Sequence, residues 1–376
     1  MPELKIALVH DHLLEFGGAE RVFVALKKVF PTADIYTAFL DRDRLGIHNK
    51  HLEDWTINTS WADKVPGFKR LFSPLRFMWP LIWEIFDFSK YDLVISSSGT
   101  MMSKGIITKP TTIHISYLHH PPRNLYYYET AIEWQKFFLL RIYGHLVNHG
   151  LRMWDYLSSH RVDHMIANSQ DTQRRISKFY RMDSTVIYPP VVIPETVTYP
   201  EKREYYVTSS RLAKAKHIDV LVKASNKHGF QLKIIGTGRD EEYLKSIASS
   251  NVQLLGGVTD DELRNTLAGA KGYLFASVDD EFGIAPVEAM GYGVPVIAFA
   301  SGGLKETVKD GKNGYLYSLL NEDSLIEKIV EFEKLSEADY KKMCETARKE
   351  AEQYSFEEFK KQMLAFVEKH AGTARS

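Results

Sequence analysis

A chain of 376 residues is too long for one ordinary core and suits two domains. A hydrophobic share of 44% excludes extensive disorder, and 48 Lys and Arg balanced by 48 Asp and Glu give no overall argument for a nucleic-acid partner. The single cysteine, Cys344, excludes a disulfide within the chain and suits a reducing compartment.

In chain order, Lys5–Val9 predicts a short strand and Ala19–Val29 has helical spacing. The N-terminus lacks the charged head, long apolar core and cleavage site of a signal peptide. Between Trp61 and Phe88, aromatic residues alternate with Lys64, Lys69, Arg70 and Arg76. That cluster suits contact with anionic lipid, but Pro66, Pro74 and Pro80 break any long amphipathic helix, so an aromatic subdomain core is the simpler reading. No apolar stretch is long enough to span a bilayer; the nearest, Phe77–Phe88, is interrupted by Pro80 and Glu84. A cytoplasmic protein is expected, with peripheral contact at the inner face of the membrane as an open possibility.

Leu93–Ser96, Thr112–Ser116 and Met165–Ala167 read as further buried strands. The stretch Tyr188-Pro-Pro-Val-Val-Ile-Pro194, followed by Tyr199-Pro200, cannot form a long helix and marks a linker over 191–203. A second series follows, with strands expected at Tyr205–Thr208, Gln231–Ile235, Val252–Leu254, Gly272–Phe275 and Pro295–Ala298. Strands alternating with helices imply an α/β chain of two Rossmann-like, doubly wound parallel-sheet domains, 1–190 and 204–354, facing a central cleft. Ser355, with Glu358 three residues on, starts a last helix over 355–376, expected to pack back on the first domain.

In open parallel sheets, ligands bind at the carboxyl ends of strands, and three motifs sit just there. Gly17-Gly18-Ala19-Glu20 follows the first strand and opens a helix, as a phosphate loop does, although a Gly-Gly pair alone also fits a plain turn. Arg211 and Lys216 follow the first strand of the second series, where cations would stabilise a departing diphosphate. Asp279-Asp-Glu-Phe-Gly-Ile284 leads into a helix holding Glu288, then a Gly-x-Pro turn. Carboxylates suit pairs of sugar hydroxyls, and backbone amides at Phe282, Gly283 and Ile284 suit hydroxyl or phosphate oxygens. Ser301-Gly-Gly-Leu304 is another glycine-rich helix start.

Taken with Ser116-Tyr-Leu-His-His-Pro-Pro-Arg123, Ile166-Ala-Asn-Ser-Gln170 and Val186-Ile-Tyr-Pro-Pro-Val191, these motifs resemble the retaining GT-B glycosyltransferases of family 4, and within it bacterial mannosyltransferases of polysaccharide assembly. The resemblance covers nearly the whole chain. It implies a hexosyltransferase that takes a nucleotide diphosphate sugar, with GDP-mannose as first donor and UDP-sugars as the competitor, and a glycan or lipid-linked acceptor. It implies that Gly17, Gly18, Arg211 and Lys216 hold the diphosphate, that Glu288 binds the ribose, and that Val258 packs the base. It also implies that His119 lies near the donor sugar and acceptor. The family's Glu-Asp pair is reversed here, so the sugar contact falls to Asp280 or to Glu281. Arg123 either holds an acidic acceptor group or pairs with an internal carboxylate, and His120 reads as structural.

No metal cofactor is expected. His10 and His12 flank a strand end and point to opposite sides, and Asp279-Asp280 is not a spaced acid pair. Arg211, Lys216 and helix N-termini supply positive charge instead. The rivals are an epimerase or phosphorylase of the same fold and a non-catalytic nucleotide-sugar binder; a phosphorylase would need a cofactor lysine that the sequence does not mark.

Overall fold

The computed structural model describes residues 4–129, 138–197 and 203–371. They group into two compact units, one bounded by Met1–Pro190 with Glu357–Ser376, the other by Val191–Phe356. Part of the linker expected over 191–203 lies outside the described residues.

The first unit is built on seven strands: β1 Ile6–His10, β2 Asp34–Thr37, β3 Ile57–Thr59, β4 Leu93–Ser98, β5 Ile113–Leu118, β6 His164–Ala167 and β7 Thr185–Val186. Their order is β3-β2-β1-β4-β5-β6-β7, and every neighbouring pair is parallel. The chain therefore starts in the middle, winds outward on one side, and then reverses from β1 to β4. Helices cover such a sheet on both faces, so central strands are apolar throughout; Ala7, Leu8 and Val9 of β1 have no exposed surface. In β4 the apolar half, Leu93-Val-Ile95, is followed by Ser96-Ser-Ser98, all six fully buried.

The second unit repeats this winding with β8 Tyr205–Ser209, β9 Gln231–Ile235, β10 Val252–Gly256, β11 Ala270–Phe275, β12 Val296–Phe299 and β13 Gly314–Tyr317. The order is β10-β9-β8-β11-β12-β13, again parallel throughout, and the reversal falls between β8 and β11. Four strands escape a reading of the sequence: β2, β3, β7 and β13. All four have only two to four residues and lie at or next to a sheet edge, where a long apolar run is not required, and β13 also begins with a glycine.

Phe68, Trp79, Trp83 and Phe88 are core residues of the first unit, so the aromatic stretch before β4 is mainly interior. Pro80 is tolerated because it stands in the first turn of helix Trp79–Glu84, where its missing N–H costs nothing. The last helix, Phe356–Ala371, sets Phe359 against Tyr117 of β5 and Phe366 and His370 against His164 of β6. No helix among the described residues is long and apolar enough to cross a membrane.

Helix Phe138–Ser159 is anchored by polar groups. Its buried stripe is Gly144, Asn148, Leu151, Asp155, Ser158 and Ser159. Asp155 meets the Lys104 ammonium at 2.5 Å, both side chains fully buried, and its other oxygen accepts the hydroxyls of Tyr126 and Tyr180 at 2.7 and 2.9 Å. Burial lowers the Lys104 pKa despite this partner. Asp155→Ala leaves the ammonium alone in the core and is expected to cost about 3–5 kcal/mol. Lys104→Met with Asp155→Leu removes both charges and is expected to cost less than Asp155→Ala alone, as urea unfolding of the variants will measure.

Candidate functional site

At the first reversal, His10 ends β1 opposite Ser97 of β4. His10 Nδ1 lies 3.0 Å from Ser97 Oγ, and Ser97 Oγ lies 2.8 Å from His119 Nε2, just beyond β5. On its other side, His10 Nε2 lies 3.4 Å from Glu20 Oε1, and Glu20 Oε2 accepts the Gly17 N–H at 2.7 Å. Glu20 stands in the first turn of helix Gly18–Val29, where a carboxylate answers both an orphan amide and the helix dipole. Burial would raise its pKa, but the hydrogen bond and charge of His10, with His12, bring it down to about 2. A carboxylate only accepts, so Glu20 takes a His10 Nε2–H. Ser97 Oγ then bridges the two rings, at His10 Nδ1 and His119 Nε2. Burial, with the charges of His10 and His120, lowers the His119 pKa to about 3, so the ring is neutral at neutral pH.

Asp11 does different work. Its carboxylate accepts the backbone N–H groups of Gly99, Met101 and Ser103 at 3.0, 2.7 and 2.9 Å and so pins the loop leaving β4. The His12 ring lies edge-on to Phe72, with centroids 6.0 Å apart. Among the described residues no group of three or more His, Cys, Asp or Glu is placed to hold a metal. His120 Nδ1 lies 3.0 Å from the Pro121 carbonyl, and Arg123 is half-buried in the following turn.

At the second reversal, Arg211 is exposed two residues past the end of β8. Lys216 lies five residues further on; its ammonium pairs with the Asp280 carboxylate and donates to Ser277 Oγ at 3.2 Å. Asp279 holds a left-handed φ of 52°, and its N–H donates to Ser301 Oγ at 2.9 Å. Gly283, at φ 83°, caps helix Ile284–Gly291, in which Glu288 is 9% exposed. Phe282 is buried with its ring edge-on to Tyr354 at 5.1 Å. Val258 is half-buried in the loop after β10, and Glu281 is half-buried beside Asp280.

The structure thus gathers His119 with His10, Ser97 and Glu20 in one unit, and Lys216 with Ser277 and Asp280 in the other. Gly17 donates its amide to Glu20. The roles of Ser97, Ser277 and His10 escape a reading of the sequence, although three serines ending an apolar strand are a visible signal. So is Gly236-Thr-Gly238 after β9. A Cβ on Gly236 or Gly238 would lie 1.9 or 2.1 Å from the carbonyl oxygen of Ser210 or Leu212, so these glycines let the Arg211 loop pack close.

The same device supports the acid loop. Gly303 N–H donates to the Asp280 carbonyl at 2.8 Å, and a Cβ on Gly303 would lie 2.2 Å from the Glu281 carbonyl oxygen. Gly303→Ala is therefore expected to force the backbone of 280–281 aside and to cost about 1–3 kcal/mol by overpacking. Gly257→Ala, whose Cβ would meet only a Thr237 methyl at 3.8 Å, should be nearly neutral. Thermal unfolding of both variants checks the contrast.

Comparison with known proteins agrees with this architecture. Residues 16–193 match the family model described as Glycosyltransferase Family 4, and residues 193–352 match Glycosyl transferases group 1. The GtfA subunit of a UDP-N-acetylglucosamine–peptide N-acetylglucosaminyltransferase from Streptococcus gordonii is 32% identical over 199 residues, 47% of this chain and 39% of that protein. A GDP-mannose-dependent monoacylated alpha-(1-6)-phosphatidylinositol monomannoside mannosyltransferase from Corynebacterium glutamicum is 36% identical over 138 residues, 33% of this chain and 36% of that protein. The matched regions span less than half the length of these curated relatives. Among solved structures, Anabaena HepE in complex with UDP and glucose superposes with a TM-score of 0.71 at 19% identity, covering 97% of this chain and 99% of that one. Sucrose-phosphate synthase from Thermosynechococcus elongatus gives 0.73 at 18%, covering 98% and 99%. With two adjoining family matches that run from residue 16 to residue 352 over two parallel-sheet units, the chain belongs to the GT-B glycosyltransferases.

Proposed function

We propose that this chain is a retaining hexosyltransferase that moves mannose from GDP-mannose to a hydroxyl of a glycan or lipid-linked acceptor. The observation that carries the reading is the cluster of Lys216, Ser277 and Asp280 at the β8/β11 reversal, with Arg211 exposed in the loop between β8 and Lys216. A departing diphosphate gains charge as the glycosidic bond breaks, and preorganised cations stabilise that charge. A phosphate that takes Lys216 replaces one anion with another and releases the Asp280 carboxylate for sugar hydroxyls. In this reading Gly17, Gly18 and Arg211 also hold the diphosphate, Glu288 the ribose and Val258 the base. The amides at Phe282, Gly283 and Ile284 hold hydroxyl or phosphate oxygens.

The bond to the diphosphate breaks with oxocarbenium character, and the acceptor attacks from the face of departure. A leaving phosphate oxygen takes the acceptor proton, so no enzyme nucleophile is needed. His119, neutral, accepts a hydrogen bond from a sugar hydroxyl. Arg123 meets an acidic group of the acceptor. Arg211, Lys216 and the helix start at Gly283 supply the positive charge, without a metal.

GDP-mannose is favoured by the Corynebacterium relative, which is named for that donor. A UDP-sugar is the second reading, because the streptococcal relative is named for UDP-N-acetylglucosamine and HepE was solved with UDP. A thermal-shift panel of GDP, UDP and ADP with their sugars, in EDTA, separates the two, since stabilisation grows with the logarithm of concentration over affinity. GDP and GDP-mannose are expected to raise the Tm most. A larger shift with UDP selects the second reading, and no shift with any of them overturns both. Arg211→Ala should weaken transfer by about tenfold to a hundredfold, the worth of one hydrogen bond to a charged group.

The adjacent acids are separated by kinetics. Asp280→Ala is expected to lower kcat severely and Glu281→Ala mildly, because a contact that strengthens as the bond breaks appears in kcat rather than in KM alone. The reverse order assigns the sugar to Glu281, and two variants with unchanged kinetics remove both acids from the sugar site.

A further inference from the structure

Helix Phe138–Ser159 is turned inside out. Its interior stripe carries the Asp155–Lys104 pair, an asparagine and two serines, whereas its outward stripe is apolar. Leu139, Ile142, Leu146, Met153 and Leu157 follow one another at intervals of three, four, seven and four residues, so they form one line along the helix. They are 77, 46, 72, 53 and 63% exposed. Single exposed leucines are ordinary, but an apolar line from Leu139 to Leu157, about 27 Å of helix, is not.

The charges on this helix are one-sided. Its one carboxylate, Asp155, is fully buried. Arg141 is exposed near its start, His145 and His149 are exposed on the same side as the apolar line, and the half-buried Arg152 donates to the Leu125 carbonyl at 3.2 Å. The neighbouring segment extends the apolar surface. The Tyr143 hydroxyl donates to the Pro74 carbonyl and Trp154 Nε1 donates to Glu84 at 2.9 Å, while Phe77, Leu81 and Ile85 of that segment are exposed.

We propose that this face of the first unit docks on an anionic lipid surface. Acyl chains would take the leucines, and headgroup phosphates the exposed Arg141. A second copy fits less well: a two-fold contact would set this helix's cations against the same cations, with no carboxylate of the helix to answer them. The proposal makes no use of the donor site, so it stands or falls separately from the transfer reading.

The test is cosedimentation of the full chain with vesicles of equal parts phosphatidylglycerol and phosphatidylcholine, against phosphatidylcholine alone. Binding is expected on the anionic vesicles, weaker on the neutral ones and weaker in high salt. Leu146→Asp with Leu157→Asp, both exposed positions, is expected to cut the bound fraction at least about tenfold, with the Tm unchanged. Arg141→Glu should weaken binding to anionic vesicles in particular. Absence of binding by the parent chain, or binding untouched by the double variant, overturns the proposal. A dimer in light scattering that the double variant dissolves, without vesicle binding, assigns the face to a second copy instead.

Discussion

A parallel strand cannot be joined to its neighbour by a hairpin, so each connection must cross over a face of the sheet. Where the winding reverses, the loops leaving two adjacent strands part to opposite faces and open a crevice at their carboxyl ends. Both units reverse between their first strand and their fourth, at β1/β4 and β8/β11. The polar chemistry of each unit sits at that crevice: His10 and Ser97 in one, Arg211 and Ser277 in the other. The two units thus solve one topological problem twice with different side chains.

Buried polarity is then made tolerable by completing its hydrogen bonds. Glu20 terminates the His119–Ser97–His10 relay and at the same time receives the Gly17 amide, which couples the glycine turn to the histidine. Asp11 collects three amides of one loop. In the second unit the acid loop is held by close backbone approach: Gly302 and Gly303 press against the carbonyls of Asp280 and Glu281, a distance that no residue with a Cβ permits. These glycines act through space they leave empty, and their role in positioning is indirect.

Helix Phe138–Ser159 shows the same economy applied differently. An ion pair, two tyrosine hydroxyls and a pair of serines fix its inner face beside Leu151, and its other leucines remain on the surface. The interior position of Asp155 depends on Lys104, 51 residues earlier in the chain. Read from its composition alone, the helix would be turned the other way.

Local pattern determined the class of this protein. Short apolar runs alternating with amphipathic segments identify two doubly wound parallel sheets, and nine of the thirteen strands among the described residues are legible, the central ones because a strand buried on both faces must be apolar. The four others are short or open with glycine, and only pairing with a neighbour makes them strands. The candidate residues Lys216, Asp280 and Glu288 stand out in motifs because strand ends and helix starts are marked locally, and His119 through the family resemblance. Their partners do not. Ser97 meets His119 across 22 residues, and Lys216 meets Asp280 across 64. Such contacts are set by strand order, which residue spacing does not encode, and only the folded sheet decided them.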